Sequence, residues 1–192
     1  LECVPERLRS ALDRLRCSIE RETLEWPGFF AEIGAQATAV AEKLSVREGD
    51  RRLLGQAAEM QFLGFGGEEP GRIQEAFHGP EELCEAWRGL AASGAALLDH
   101  MGPEAAPCAE LLRTTAGLTG GHLIPRRQCS GPPVAQILWL SLLATLGRTW
   151  RLGRPKTAGE LARFAGLGEP SALDPAVART FLEEAAWACG PN

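Results

Sequence analysis

Seven basic residues, Arg113 among them, stand in a stretch of the chain that carries no carboxylate. Between Leu111 and Gly159 there is no Asp or Glu, although the 192 residues include 25 of them. The candidate partner-binding residues are Arg126, Arg127, Arg148, Arg151, Arg154 and Lys156. Such a cluster can bind phosphates, lipid headgroups or an acidic peptide. The simpler interpretation, which we favour, is that these cations pair with the chain's own carboxylates, which outnumber them.

The three histidines are the residues best suited to acid–base or metal chemistry, and their surroundings favour neither. His78, His100 and His122 lie outside any HExxH pattern and are not beside a serine or cysteine in a nucleophile setting. Paired glutamates are adjacent in sequence, so on a helix they point in different directions. The sequence therefore predicts no enzymatic activity, no cofactor and no metal site.

The six cysteines leave two cellular settings open. They are Cys3, Cys17, Cys84, Cys108, Cys129 and Cys189, without a CxxC pair. An even number permits three disulfides, as in a secreted helical factor. Cys17 and Cys108 stand beside apolar helix positions, where a free cysteine behaves as a small hydrophobe. We favour six reduced thiols and an intracellular location, in cytoplasm or nucleus.

Apolar residues recur at steps of three and four along most of the chain, which is the spacing of one face of an α-helix. The first two stripes are Leu8, Leu12, Leu15 and Ile19, and then Phe30, Ile33, Ala37, Val40 and Leu44. The link between them is short, which predicts an antiparallel hairpin. Asp50 is expected to cap the third helix.

An uncharged apolar run from Val134 to Leu146 is hydrophobic nearly all round. This composition predicts a central, buried helix over about 133–147. The residues expected to be almost fully buried are Ile137, Leu138, Leu142 and Leu146. A 13-residue helix rises only about 20 Å, short of the roughly 30 Å core of a bilayer, so we predict no transmembrane segment.

The end of the chain resembles a helix-turn-helix. Residues 156–167 and 174–185 would be its two helices, preceded by the apolar helix as a support. The resemblance implies phosphate contacts from nearby arginines. The connection between the two helices is longer than the usual turn of about three or four residues. The second helix offers Arg179 against Glu183 and Glu184, so a structural helix pair is the preferred interpretation.

These patterns predict an all-α fold in one domain, residues 1–192. It would be a bundle or short irregular solenoid of about eight or nine helices around the apolar helix. The helix-turn-helix-like subregion would occupy 133–190. No sustained period-two alternation indicates a sheet.

The predicted function is a non-enzymatic protein–protein interaction or scaffold module, part of a larger intracellular protein. Its partner would offer an acidic segment, and the oligomeric state stays open. One alternative is nucleic-acid binding through the basic segment 126–182. With a net charge of −5, we expect weak or no binding to nucleic acid. The second alternative is a secreted, disulfide-bonded helical factor.

Overall fold

A computed structural model describes residues 6–24, 27–67, 80–118, 131–149 and 173–188. Side chains at 23, 80–84, 146–149 and 185–188 are outside this description. All regular structure in these ranges is helical, which confirms the all-α class. The seven α-helices are α1 (Glu6–Ser18), α2 (Phe29–Lys43), α3 (Glu48–Met60), α4 (Pro80–Asp99), α5 (Ala106–Leu118), α6 (Pro133–Thr149) and α7 (Pro175–Ala188). A π-helical turn (Ile19–Thr23) follows α1, and a 3-10 segment (Gln61–Gly67) follows α3.

Helix α2 carries the predicted stripe into the core. Phe30, Ile33, Ala37 and Val40 are fully buried, and Leu44 packs against the same core from its edge. Helix α2 packs most extensively against α3 and then α6 and α7, whereas α1 contacts the π-helical turn and the 3-10 segment. The predicted hairpin between the first two helices is therefore wrong. Gly34 and Gly55 lie where α2 and α3 face each other, and a Cβ at Gly34 would stand 3.6 Å from Ala58 Cβ, an ordinary van der Waals distance.

The predicted cap of α3 also needs correction. The helix begins at Glu48 after Arg47, and no side chain caps it. Asp50 lies in the first turn and accepts a hydrogen bond from Arg47 Nε at 3.1 Å. A carboxylate in that turn still interacts favourably with the positive end of the helix dipole.

The 3-10 segment and α4 meet backbone to backbone. Gly64 lies so close to α4 that a Cβ at this position would overlap the carbonyl group of Leu90. A Cβ at Gly94 would stand 3.1 Å from the nitrogen of Gly64. Phe62 and Phe65, on either side of Gly64, are thereby held edge-on to Phe30 of α2, with ring centroids 6.1 and 5.6 Å away.

Helix α6 is buried from Ala135 to the last of its described side chains. Every described side chain from Ala135 to Thr145 is buried, including Ile137, Leu138 and Leu142. The prediction for those three residues is confirmed, and the side chain of Leu146 lies outside the description. Helix α6 contacts α2, α3, α5 and α7. Trp139 packs with Trp87 of α4 at a centroid distance of 6.4 Å.

Helix α7 begins as its sequence predicts. Asp174 Oδ1 accepts hydrogen bonds from the backbone nitrogens of Ala176 at 2.7 Å and Val177 at 3.4 Å, which is an N-cap. Val177 and Phe181 are buried. The other described residues of this helix are half-buried or exposed.

Candidate interaction surface

The predicted basic site lies almost wholly outside the described residues. Arg126, Arg127, Arg151, Arg154 and Lys156 are in ranges that the structure does not describe, and Arg148 is in α6 with its side chain outside the description. Their role as partner-binding residues stays a prediction.

One further cation of the acid-free stretch is described, and it pairs with the chain's own carboxylates. Arg113 of α5 forms an ion pair with Asp99 at the end of α4, and its Nη1 lies 3.7 Å from Glu110 Oε2. At Arg113 the structure agrees with the simpler interpretation, in which cations of the acid-free stretch pair with the chain's own carboxylates.

The helix-turn-helix-like region is described only at its two ends. Its exposed α7 face carries Arg179 and Glu183, while Glu184 forms an ion pair with Lys43 of α2. The N-terminus of α7, where a phosphate would be expected to bind, already holds the carboxylate of Asp174. This charge distribution does not favour a DNA backbone.

His100 is the one histidine within the described ranges, because His78 and His122 lie outside them. It is exposed beyond the end of α4, and its Nδ1 is 2.7 Å from the carbonyl oxygen of Ala96. Because a carbonyl oxygen can only accept, the ring nitrogen donates the hydrogen bond, and the ring thereby closes the last turn of its own helix.

Two cysteines are described, and both are free thiols. Cys17 is exposed on α1 and Cys108 is buried in α5, 3.9 Å from Gln56 Oε1. The other four cysteine side chains lie outside the description, so the expected set of six reduced thiols stays a prediction.

A buried carboxylate that the sequence analysis missed proves to be structural. Glu20, in the π-helical turn, is only 5% exposed. Its Oε2 accepts from the nitrogen of Gly28 at 3.0 Å and its Oε1 from the nitrogen of Phe30 at 3.1 Å. These are free N–H groups at the start of α2. Gly28 adopts φ +86° to bring its nitrogen there, and glycine takes that conformation without strain.

A shallow groove of about 380 Å³ lies between α2 and α3. Small residues line its floor, and Glu42 and Glu59 stand among its walls. Glu42 lies 3.4 Å from Arg51 in an ion pair. The polar residues that line the groove are Thr38, Glu42 and Glu59.

Helix α1 presents the most unusual surface among the described residues. None of its side chains is buried, although its leucines form a regular stripe. Leu8 and Leu15 are 36% and 38% exposed, while Leu12 between them packs against the edge of the core. Most amphipathic helices bury their apolar stripe against the rest of the protein. Here the stripe is only partly covered.

Arginines accompany this stripe on both sides. In heptad notation Leu12 is at a and Leu8 and Leu15 at d, so Arg9 and Arg16 fall at e. Arg7 and Arg14 fall at c, beyond the small residues at g. Arg7 and Arg14 are exposed and have no ion pair with any residue that the structure describes. Helix α1 has four arginines and two carboxylates, so this surface carries net positive charge.

Within the described ranges, no group of three or more His, Cys, Asp or Glu side chains is placed to hold a metal ion. No described helix combines the length and apolar character needed to cross a membrane. Comparison with protein-family models, curated proteins and solved structures found no match for the chain.

Proposed function

We propose that the chain is a non-enzymatic module that binds a partner protein through an acidic segment of that partner. The observation that carries the proposal is the surface of α1, where Leu8 and Leu15 are partly exposed and the neighbouring Arg7 and Arg14 form no ion pair with a described residue. Partly uncovered apolar surface next to unpaired charge is typical of a protein-binding surface. The basic residues at 126, 127, 148, 151, 154 and 156 would add to the same preference for an acidic partner.

Three described polar side chains are used in holding the helices. Glu20 holds the start of α2, Asp174 caps α7, and His100 closes α4. An active site needs a base, a nucleophile or an oxyanion donor directed at a common point. These three groups are instead directed at backbone atoms of their own chain. Their use in holding the helices supports a binding role over a catalytic one.

The helix count and the place of α6 belong to the same proposal. Helix α6 contacts α2, α3, α5 and α7, and its Trp139 packs against Trp87 of α4, which supports a bundle built around it. Such a core would leave the outer helices free to carry binding surfaces. The total of eight or nine helices stays part of this proposal.

Affinity capture tests the proposed function. The whole chain is immobilised and exposed to a nuclease-treated cell lysate at low and moderate salt, and retained proteins are identified by mass spectrometry. We expect a defined protein to be retained in near-stoichiometric amount, with less at higher salt because the contact is partly electrostatic. A matched matrix carrying the heat-unfolded chain controls for adhesion to apolar surface. Retention of nothing above that control would contradict the proposal, and retention only without nuclease would favour the nucleic-acid alternative.

A further inference from the structure

We infer that α1 is a strap that opens from the bundle as one unit while the other helices stay folded, and that the π-helical turn at Ile19–Thr23 is its hinge. This inference goes beyond the proposed function, because it concerns how firmly α1 is held and not what it binds. The evidence is an abrupt change in burial at the junction between α1 and the π-helical turn.

Helix α1 is held by shallow contacts. None of its side chains is buried, and its main contacts among the described residues are with the π-helical turn that follows it and with the 3-10 segment. Leu12 packs at the edge of the core. Leu15 lies near the 3-10 segment, where its Cδ2 would be 3.9 Å from a Cβ at Gly66, yet 38% of its surface is exposed. Opening α1 therefore uncovers little apolar surface, and the free-energy cost of opening increases with the apolar area uncovered.

The π-helical turn is held far more firmly than α1. Ile19 and Glu20 are each only 5% exposed. The carboxylate of Glu20 accepts hydrogen bonds from the backbone nitrogens of Gly28 and Phe30 at the start of α2. The nitrogen of Leu24 donates to the carbonyl oxygen of Ile19 at 3.0 Å, which closes the turn in the pattern of a π-helix. All of these contacts can remain when α1 moves away.

The change of helix type places the hinge at this junction. Helices bend sharply where a π-helical turn interrupts the regular hydrogen-bond pattern. The ion pair between Arg16 and Asp13, at 3.2 Å, lies within α1 and would move with it. A helix of 13 residues is marginally stable in water without tertiary contacts. Detached α1 would therefore lose most of its helical hydrogen bonds, which makes amide exchange a direct measure of opening.

Native-state hydrogen exchange of the whole chain tests the inference. Relative to their unstructured rates, the amides of residues 10–18 should exchange at least about a hundredfold faster than those in the buried part of α2, because a local opening needs less free energy than global unfolding. Urea below the unfolding transition should scarcely change exchange in α1, since its opening exposes little surface, and should accelerate exchange in α2. Equal protection and equal urea dependence in the two helices would overturn the inference.

Two variants separate the strap from the bundle. Leu12→Ala removes a contact of α1 with the core edge, so it should speed exchange in α1 by about threefold or more and leave α2 and α6 unchanged within about twofold. Leu142→Ala leaves a cavity in α6 and should speed exchange in α2 and α6 by about tenfold or more. It should leave α1 unchanged within about twofold, because α1 already exchanges through its own opening. Acceleration of all three helices by a common factor in either variant would overturn the inference.

The matched control is Leu97→Ala on α4, which removes a surface leucine away from α1 and should leave exchange in α1 unchanged within about twofold. The hinge position has its own readout. The amides of Gly28 and Phe30 should exchange more slowly than those of α1, because Glu20 stays bound to them while α1 is open. Exchange of these two amides as fast as those of α1 would overturn the hinge. None of these measurements needs a partner, so this inference and the proposed function can fail separately.

Discussion

Gln136 and Asp174 are joined across 38 residues of sequence by a hydrogen bond in which the nitrogen of Asp174 donates to Gln136 Oε1 at 2.7 Å. The amide of Gln136 also donates from Nε2 to the carbonyl oxygen of Gly131 at 2.7 Å. One buried side chain near the start of α6 therefore fixes both the segment that leads into α6 and the residue that caps α7. Gln136 is a polar residue in the otherwise apolar first turns of α6, and these two hydrogen bonds are its structural role.

Replacing Gln136 with leucine should destabilise the fold. The change keeps the side chain's approximate volume but leaves the nitrogen of Asp174 and the carbonyl of Gly131 without this partner. A buried group left unpaired costs about 1–3 kcal/mol. Both hydrogen bonds here are only part-buried, so we expect the free energy of unfolding to fall by about 1–3 kcal/mol in total. Urea denaturation measures it. The exposed change Arg179→Ala on α7 should stay within about 0.5 kcal/mol, and an equal loss for both variants would contradict this role of Gln136.

A side chain at Gly64 should not fit against α4. Gly64→Ala would force its new methyl group into the backbone at Leu90. Because backbone cannot move aside as a flexible side chain does, we expect a loss of about 1–3 kcal/mol or more in thermal or urea unfolding. Gly89→Ala is the matched control on α4, where a Cβ meets nothing within 4 Å. It should stabilise the helix by about 0.5–1 kcal/mol. A neutral Gly64→Ala would show that the close approach is absent.

The core position Leu142 should be sensitive to truncation. Its side chain is 1% exposed in α6, so Leu142→Ala removes buried apolar atoms and leaves a cavity. Such changes cost about 2–5 kcal/mol. Leu97→Ala, at a leucine that is 48% exposed, should cost much less. Similar midpoints of urea denaturation for the two variants would contradict the burial of α6.

Loss of the Glu20 carboxylate should destabilise the start of α2. Glu20→Ala leaves the nitrogens of Gly28 and Phe30 without their acceptor, and we expect a loss of about 1–3 kcal/mol. Hydrogen exchange should show faster exchange at those two amides. Glu22→Ala, at an exposed position two residues away, is the control and should change neither stability nor exchange. Unchanged protection of Phe30 in the Glu20 variant would contradict the capping role.

Helix positions and core residues were predictable where local pattern decides them. The stripe through Phe30, Ile33, Ala37 and Val40 has the period of a helix face, and a face of that composition must be buried. The burial of Leu142 follows from the absence of charge around it. The cap at Asp174 follows from its side chain and the proline after it.

Contacts between distant segments were not predictable in the same way. Nothing near Gly64 in sequence indicates that Leu90 will lie against it, and Glu20 reads as one more acidic residue on a helix. For α1, the spacing of Leu8 and Leu15 indicates an apolar face, but it does not indicate whether the rest of the protein covers that face. The basic residues from 126 to 156 could be singled out by composition alone, and composition does not say what they contact.

We propose that the chain binds a partner protein rather than nucleic acid. The most direct measurement titrates the whole chain, at about 150 mM salt, against the captured partner and against duplex DNA, by fluorescence anisotropy. We predict saturable binding to the partner, weakened by the joint charge reversal of Arg126, Arg127, Arg151 and Arg154, and no more than feeble, non-specific binding to DNA. Tight, sequence-selective binding to DNA that is lost in Arg179→Ala would contradict the proposed protein-binding function.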